Sequence, residues 1–261
     1  MKKKIAILYI CTGKYKVFWE DFYSSTEKHF FKNELKHYFV FTDAKDLNIS
    51  EKITVIEKKC KGFPYDSLFR FDMFLEIENL VLDYDYVFFF NANMLFLKDV
   101  NFEIFPNDNF KGLIGVIHPL GYKYRKFPSM FTYERNKEST AYIKKEKKEY
   151  KYYMGGLNGG SVKEYYNMVK ECSRNIHIDF ERNIVAIFHD ESHLNKYFSN
   201  TNVHGLPTSY GFPEGVNFKI EPIIMIRNKL KYDEYFDKHI QESIYSRGVR
   251  YLKQIYNAIA W

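Results

Sequence analysis

Apolar positions along this chain fall in short unbroken runs rather than in strict alternation. Residues 5–11 (Ile-Ala-Ile-Leu-Tyr-Ile-Cys), 38–42 (Tyr-Phe-Val-Phe-Thr), 53–57, 85–91 and 112–118 each fit a strand buried on both faces. Helical spacing governs the intervening stretches. Residues 15–31 carry Phe18, Trp19, Phe22 and Phe30, with Tyr23 alongside, and residues 66–79 are amphipathic. Two further helices are expected at 161–174 and 189–200, and a late strand at 221–226. Strands alternating with helices predict an α/β fold around a mainly parallel sheet. Residues 119–151 are polar and basic and read as a long loop, with Lys144 to Lys151 as a solvated charge run. Residues 152–161 hold Gly155, Gly156, Gly159 and Gly160, which suits an ordinary loop or a close backbone approach. No repeat interrupts this order.

Composition narrows the class. The 261 residues suffice for one large domain or two small ones, and 46% hydrophobic content supports a full core. The 23 Tyr and 25 Phe are more than a sugar site could use, so most must be core. A formal charge of +6 suits a small anionic ligand. No helix-turn-helix, zinc-finger or RNA-binding signature accompanies it, so nucleic acid is not the expected partner. Cys11, Cys60 and Cys172 are odd in number and widely spaced, which implies neither a zinc site nor a disulfide framework. The apolar run after Met1-Lys2-Lys3-Lys4 is too short for a signal peptide, and no run reaches the roughly 18 apolar residues of a membrane span. These features predict a cytoplasmic protein without a transmembrane segment. From Arg227 to Trp261 the chain carries seven Lys or Arg against four acids, and Ile244, Leu252, Ile255 and Ile259 would face one side of a terminal helix. Packing against the body is the plain expectation for that tail, and peripheral contact with anionic lipid the other.

Three segments carry candidate chemistry. Asn91-Ala92-Asn93 seals two amides into an apolar run, Phe88 to Leu97, at the end of an expected buried strand. Buried amides need partners, and the carboxyl edge of a parallel sheet is where open α/β folds bind ligands. His189-Asp190-Glu191-Ser192-His193 packs two imidazoles, two carboxylates and a hydroxyl into five residues. It fits a helix N-terminus favourable to acids, or a sugar site in which one carboxylate faces the anomeric carbon. His189 and His193 also have zinc-ligand spacing, but Asp190 stands where a metalloprotease base would be Glu and no third ligand is evident. The Gly-rich segment lacks both the Walker lysine and the dinucleotide spacing.

Together these segments resemble glycosyltransferase family six, the family of the blood-group A and B transferases and the α1,3-galactosyltransferase. The likeness rests on Met154-Gly155-Gly156, Gly159-Gly160-Ser161-Val162 and the string from His189 to Tyr197. Phe131-Thr132-Tyr133-Glu134-Arg135, Ala141-Tyr142-Ile143 and Ser25, Glu27, Lys28, His29 and Phe30 support it, so that it spans about residues 5–232. The resemblance implies a GT-A fold, with a nucleotide half at about 1–100, an acceptor half at about 101–232 and a basic tail at 233–261. It implies retaining α1,3 transfer of galactose or N-acetylgalactosamine (GalNAc) from a UDP-sugar. Glu191 matches the catalytic carboxylate, acting either as nucleophile or as stabiliser of a same-face displacement. Tyr9, Ile10, Cys11 and Tyr15 fall where the family cradles uridine. Arg70 falls near the donor, with Asp72 as an alternative partner. His189 and Asp190 match donor-sugar contacts, and Phe188, His118 and Thr132 acceptor contacts. Met154, Gly155 and Gly156 occupy the donor-selecting stretch. Gly156 leaves room for an acetamido group, so UDP-GalNAc is the expected donor and UDP-galactose the runner-up, which Met154 favours. A 2′-fucosylated β-galactoside is the expected acceptor, with a plain β-galactoside as the alternative. An inactive sugar-binding relative would share these motifs.

Two departures stand out. No membrane anchor like that of the family's Golgi-resident members is expected, which would suit a bacterial-type enzyme. Asn91 and Asn93 stand where relatives place Asp-x-Asp. Neutral amides are poor ligands for Mg²⁺ or Mn²⁺, so no divalent metal is expected, and Asn91 and Asn93 would order the donor by hydrogen bonds. The departing UDP would be neutralised by the basic segment, by Lys231 first and otherwise by Lys229 or Arg227. A tail closing over the nucleotide would be the analogous lid.

Overall fold

A computed structural model describes residues 2–48, 50–106, 110–146 and 149–232. The expected tail helix, with Ile244, Leu252, Ile255 and Ile259, lies outside the described residues, as do Lys147 and Lys148 of the charge run.

The apolar runs become strands of one seven-stranded sheet. They are β1 (Lys4–Ile10), β2 (Leu35–Thr42), β3 (Ile53–Glu57), β4 (Tyr86–Asn91), β6 (Leu113–Ile117), β7 (Tyr153–Ser161) and β8 (His204–Leu206). Their order is β3-β2-β1-β4-β7-β6-β8. The first four are parallel, and β7 alone runs against its neighbours β4 and β6. A small second sheet joins β5 (Met94–Phe96), β10 (Ile224–Ile226) and β9 (Phe212–Pro213).

Continuous apolar runs are explained by burial on both faces. Ile5, Ile7, Tyr9, Phe88 and Phe90 point into one layer with Trp19 and Phe22 of helix α1 (Trp19–His29). Ala6, Leu8, Val87 and Phe89 point into the other, against α3 (Arg70–Leu75) and the long helix α6 (Val162–Glu181). Both faces therefore exclude water, and alternate residues of one strand serve opposite cores.

The chain departs from expectation in several places. The first helix begins only at Trp19, after a 3-10 turn over Gly13–Phe18. The expected helix at 66–79 is three pieces, α2 (Tyr65–Leu68), α3 and α4 (Glu78–Val81), broken at Phe69 and Ile77 by non-helical backbone angles. The helix expected over 161–174 continues to Glu181. The late strand shrinks to β10 and pairs with β5, outside the central sheet. Within 119–151 a short helix α5 (Pro119–Lys123) precedes irregular chain, which builds its own small core from Phe131, Tyr133, Ile143 and Tyr152.

The largest correction is the Gly-rich segment. It is no loop but the reversed central strand β7, with all but its last residue buried. Its glycines hid the apolar signature of a strand. A Cβ on Gly159 would lie 2.5 Å from the Phe88 ring of β4, so the bulk that normally marks a buried strand is supplied by the neighbour.

Candidate active site

The strand order creates a crevice. From β1 the chain moves outward to β2 and β3, then returns to β4 on the other side of β1. Loops leaving the carboxyl ends of β1 and β4 must part there, which is the switch point where open α/β sheets bind ligands. Ile10 and Asn91 are register partners at that edge. A cavity opens beside them, lined among others by Ile10, Tyr15, Arg70, Asn91, Asn93 and Lys229.

The predicted uridine residues separate into two groups. Ile10 and Tyr15 line the cavity. Tyr9 and Cys11 are fully buried and do not. The Tyr9 ring stacks on Phe22 at 4.2 Å, and its hydroxyl donates to the Ala92 carbonyl at 2.8 Å. Tyr9 thus holds the backbone between the two asparagines. Burial also pushes the Cys11 thiol up to about 12, which leaves it an inert core residue.

Arg70 is the first residue of α3, immediately after the break at Phe69. Its partner is Asp190, at 2.6 Å, and not Asp72, which accepts from Ser173 and meets His177. The guanidinium lies 4.6 Å from the Phe89 ring centre and 5.3 Å from that of Phe71. Its Nε has no hydrogen-bond partner among the described residues, while Nη2 carries the ion pair with Asp190. A buried guanidinium at a cavity wall is suited to an anionic ligand.

Helix α7 (His189–Ser199) brings the carboxylates to β7. Asn195 pins it there, accepting from the Tyr153 N–H at 2.9 Å and donating to the Tyr153 carbonyl at 2.8 Å. His189 opens the helix with a positive φ of 48°, a left-handed conformation uncommon for a residue with a side chain. Asp190 is buried. Burial pushes its carboxyl up to about 6, against the pull of Arg70 and with help from neighbouring Glu191. Glu191 is half-buried, and its carboxylate accepts from the Tyr152 hydroxyl at 2.5 Å and the Gly155 N–H at 2.6 Å. Burial raises its pKa, and these two bonds oppose the rise. A Cβ on Gly155 would meet Arg70 Nη2 at 3.1 Å and Glu191 at 3.2 Å, so glycine permits the close approach of acid to strand.

The acceptor candidates surround this acid. Buried Thr132 hydrogen-bonds the Tyr152 hydroxyl, extending the chain that ends on Glu191. His118 caps α5 through Nδ1, which accepts from the Leu120 N–H at 3.0 Å, and its ring lies 5.4 Å from Tyr152. Burial lowers its pKa to about 4, so it is neutral at neutral pH with the proton on Nε2. Phe188 is exposed just before α7, and His189 meets the exposed Phe63 ring edge-on at 4.9 Å.

Met154 and Gly156 face the opposite side of β7 from Gly155. A Cβ on Gly156 would come within 2.8 Å of Asn91 Nδ2 and 2.9 Å of the Met154 methyl. Asn93 is buried, and its amide donates to the Arg227 carbonyl. Among the described residues no three His, Cys, Asp or Glu side chains gather as metal ligands. With neutral Asn91, a committed Asn93 and Asp190 held by Arg70, the residues present do not suit a hard divalent cation. The basic segment is also placed. Lys229 Nζ reaches the Tyr15 hydroxyl at 2.9 Å inside the cavity, whereas Lys231 pairs with Glu214 at 2.6 Å and is not part of the lining.

Tyr152, Asn195 and Phe63 were not singled out from sequence. Only the position of Tyr152, just ahead of the glycines, hinted at its part.

An anion-suited crevice at a sheet switch point, adjoining a strand-held carboxylate, is an arrangement that a nucleotide-sugar glycosyltransferase would use. The chain belongs to Glycosyltransferase family 6, whose model matches residues 1–214. It is 36% identical over 235 residues to the O-antigen biosynthesis glycosyltransferase WbnI of Escherichia coli, covering 88% of this chain and 97% of that one. It is 32% identical to the Histo-blood group ABO system transferase 1 of Rattus norvegicus, over 87% of this chain and 65% of the rat protein. It is also 32% identical to the Globoside alpha-1,3-N-acetylgalactosaminyltransferase 1 of Gallus gallus, over 74% and 57%. The chain thus spans nearly all of the bacterial relative and less than two thirds of the animal ones. Among the described residues no helix is long and apolar enough to cross a membrane.

Proposed function

We propose that the protein transfers GalNAc from UDP-GalNAc to a 2′-fucosylated β-galactoside, forming an α1,3 linkage with retention and without a divalent metal. The observation that carries this reading is Glu191, held by the Tyr152 hydroxyl and the Gly155 N–H beside the Arg70–Asp190 pair. A carboxylate so fixed can meet positive charge developing at an anomeric carbon without reorganising. Gly156 supports GalNAc as the sugar because it adds no side chain to the corner where Asn91 Nδ2 and the Met154 methyl already come within 2.8 and 2.9 Å of a Cβ position. Met154 at the same corner favours galactose, which makes UDP-galactose the second reading.

Charge compensation follows from the amides. Asn91 contributes a dipole and no charge, so the leaving diphosphate needs cations from elsewhere. Lys229 and Arg70 both line the cavity, which supports this reading, and Lys231 is the second lysine of the same segment. Phe188 and neutral His118 suit the apolar face and a hydroxyl of a galactoside.

The test is a panel of UDP-GalNAc and UDP-galactose against fucosylated and plain β-galactosides, with and without excess chelator, followed by UDP release and product NMR. Preferred GalNAc transfer that persists in chelator is the expected result. Loss of all transfer in chelator with recovery on Mn²⁺ would overturn the metal-free reading, and an inverted linkage would overturn the role of Glu191.

A further inference from the structure

Asn93 sits at the second amide position of Asn-Ala-Asn, yet its side chain is committed elsewhere. It is 3% exposed. Its Nδ2 donates to the Arg227 carbonyl at 2.7 Å, across 134 residues of sequence. The Arg227 N–H donates back to the Asn93 carbonyl at 2.8 Å. This reciprocal pair extends the β5–β10 ladder by one step beyond Met94 and Ile226. The chain after it is tightly held. The Arg227 guanidinium lies 4.8 Å from the Phe18 ring centre and 4.6 Å from that of Tyr232, and it ion-pairs with Asp21. Asn228 then caps the turn Lys229–Lys231 by accepting from the Leu230 N–H, and that turn delivers Lys229 to Tyr15 in the cavity.

We infer that Asn93 is a positioning residue, a latch whose amide seats the C-terminal segment so that Lys229 faces the donor diphosphate. The inference rests on the reading of Lys229 as counter-charge. Only an amide fits the latch. An aspartate of the same shape would offer acceptor oxygens alone, opposing the Arg227 carbonyl and losing the bond. One residue would therefore both withhold a carboxylate from a metal and place the lysine that replaces it. Restoring Asp at 93 would release the lysine rather than simply recreate a metal site.

A double-mutant cycle on UDP binding tests this, with calorimetric Kd measured for Asn93→Ala, Lys229→Ala and the pair, and folding checked by circular dichroism. Each single variant should weaken UDP by about tenfold, the value of one hydrogen bond or partly solvated charge contact. The double variant should fall within about twofold of Lys229→Ala alone, because the two act through one contact. Multiplying losses, near a hundredfold in the pair, would overturn the latch while leaving the lysine's role intact. An unchanged Kd in Lys229→Ala would instead remove the counter-charge reading, and the latch with it. If Asn93→Ala does not fold, the isosteric Asn93→Asp completes the same cycle. Recovery of wild-type affinity by Asn93→Asp in Mn²⁺ would also count against the latch.

Discussion

Replacing Tyr152 with Phe deletes one oxygen from the deepest part of the site and leaves the ring in place. That oxygen donates to Glu191 at 2.5 Å and receives a bond from Thr132. Glu191 then keeps the Gly155 N–H of β7 as its remaining hydrogen-bond donor among the described residues, at 2.6 Å. A hydrogen bond to a charged group is worth about 1.5–3 kcal/mol, so the ionised acid loses stabilisation equivalent to about 10- to 150-fold. The sign follows from the opposing causes at Glu191. Burial already raises its pKa, and the tyrosine bond holds it down. Removing that bond must move the acid limb of the pH–rate profile to higher pH. Transfer in Tyr152→Phe should therefore be most impaired at acidic and neutral pH and partly recover in alkali. The assay is kcat for UDP release with saturating donor and acceptor, from pH 5 to 9. An acid limb at the wild-type position, with kcat within twofold, would refute the assignment of Tyr152 as the hydroxyl that keeps Glu191 ionised.

Other variants probe separate parts. Glu191→Ala should abolish transfer while leaving the UDP Kd within a fewfold of wild type; near-normal turnover would end its catalytic assignment. Gly156→Ala should lower kcat/KM for UDP-GalNAc relative to UDP-galactose by about 10- to 200-fold, the range for one methyl in a tight pocket; an unchanged donor ratio would detach Gly156 from selection. For His118, burial depresses the folded pKa to about 4 from an ordinary 6.5, so the unfolded chain takes up the proton first. Its contribution to stability is complete above pH 6.5 and is lost as pH falls towards 4. His118→Asn, which can keep the cap on Leu120, should lose less thermal stability between pH 7.5 and 4.5 than wild type does; an identical loss would contradict the burial argument.

Much of this architecture was legible in the residues because burial writes itself into hydrophobic runs. β1, β2 and β4 carry unbroken apolar runs since both faces meet a core, and α7 announced itself through a dense polar string at a helix start. β7 was not legible. Its space is filled by neighbours such as Phe88, so its own side chains carry no strand signature. The roles of Tyr9 and Tyr15 were equally hidden: both are aromatic near a strand end, and only the packing of Phe22 separates a core ring from a cavity wall. The choice between Lys229 and Lys231 depends on a short 3-10 turn and on Glu214, both set by tertiary contacts rather than local pattern.

The alternation of β7 divides labour between its two faces. Gly155 looks towards Glu191 and Arg70, whereas Met154 and Gly156 look towards Asn91. On the proposed reading, bond-making and sugar choice are thus neighbours in sequence but lie on opposite sides of one backbone. A change at Met154 would then alter the donor side while the acid keeps its hydrogen bonds to Tyr152 and Gly155. The same geometry makes the strand intolerant of insertion. With Tyr153 held by Asn195, one residue added between Gly155 and Gly156 would turn Gly156 onto the side of Glu191. Backbone alternation, more than any one side chain, keeps the two faces of this strand apart.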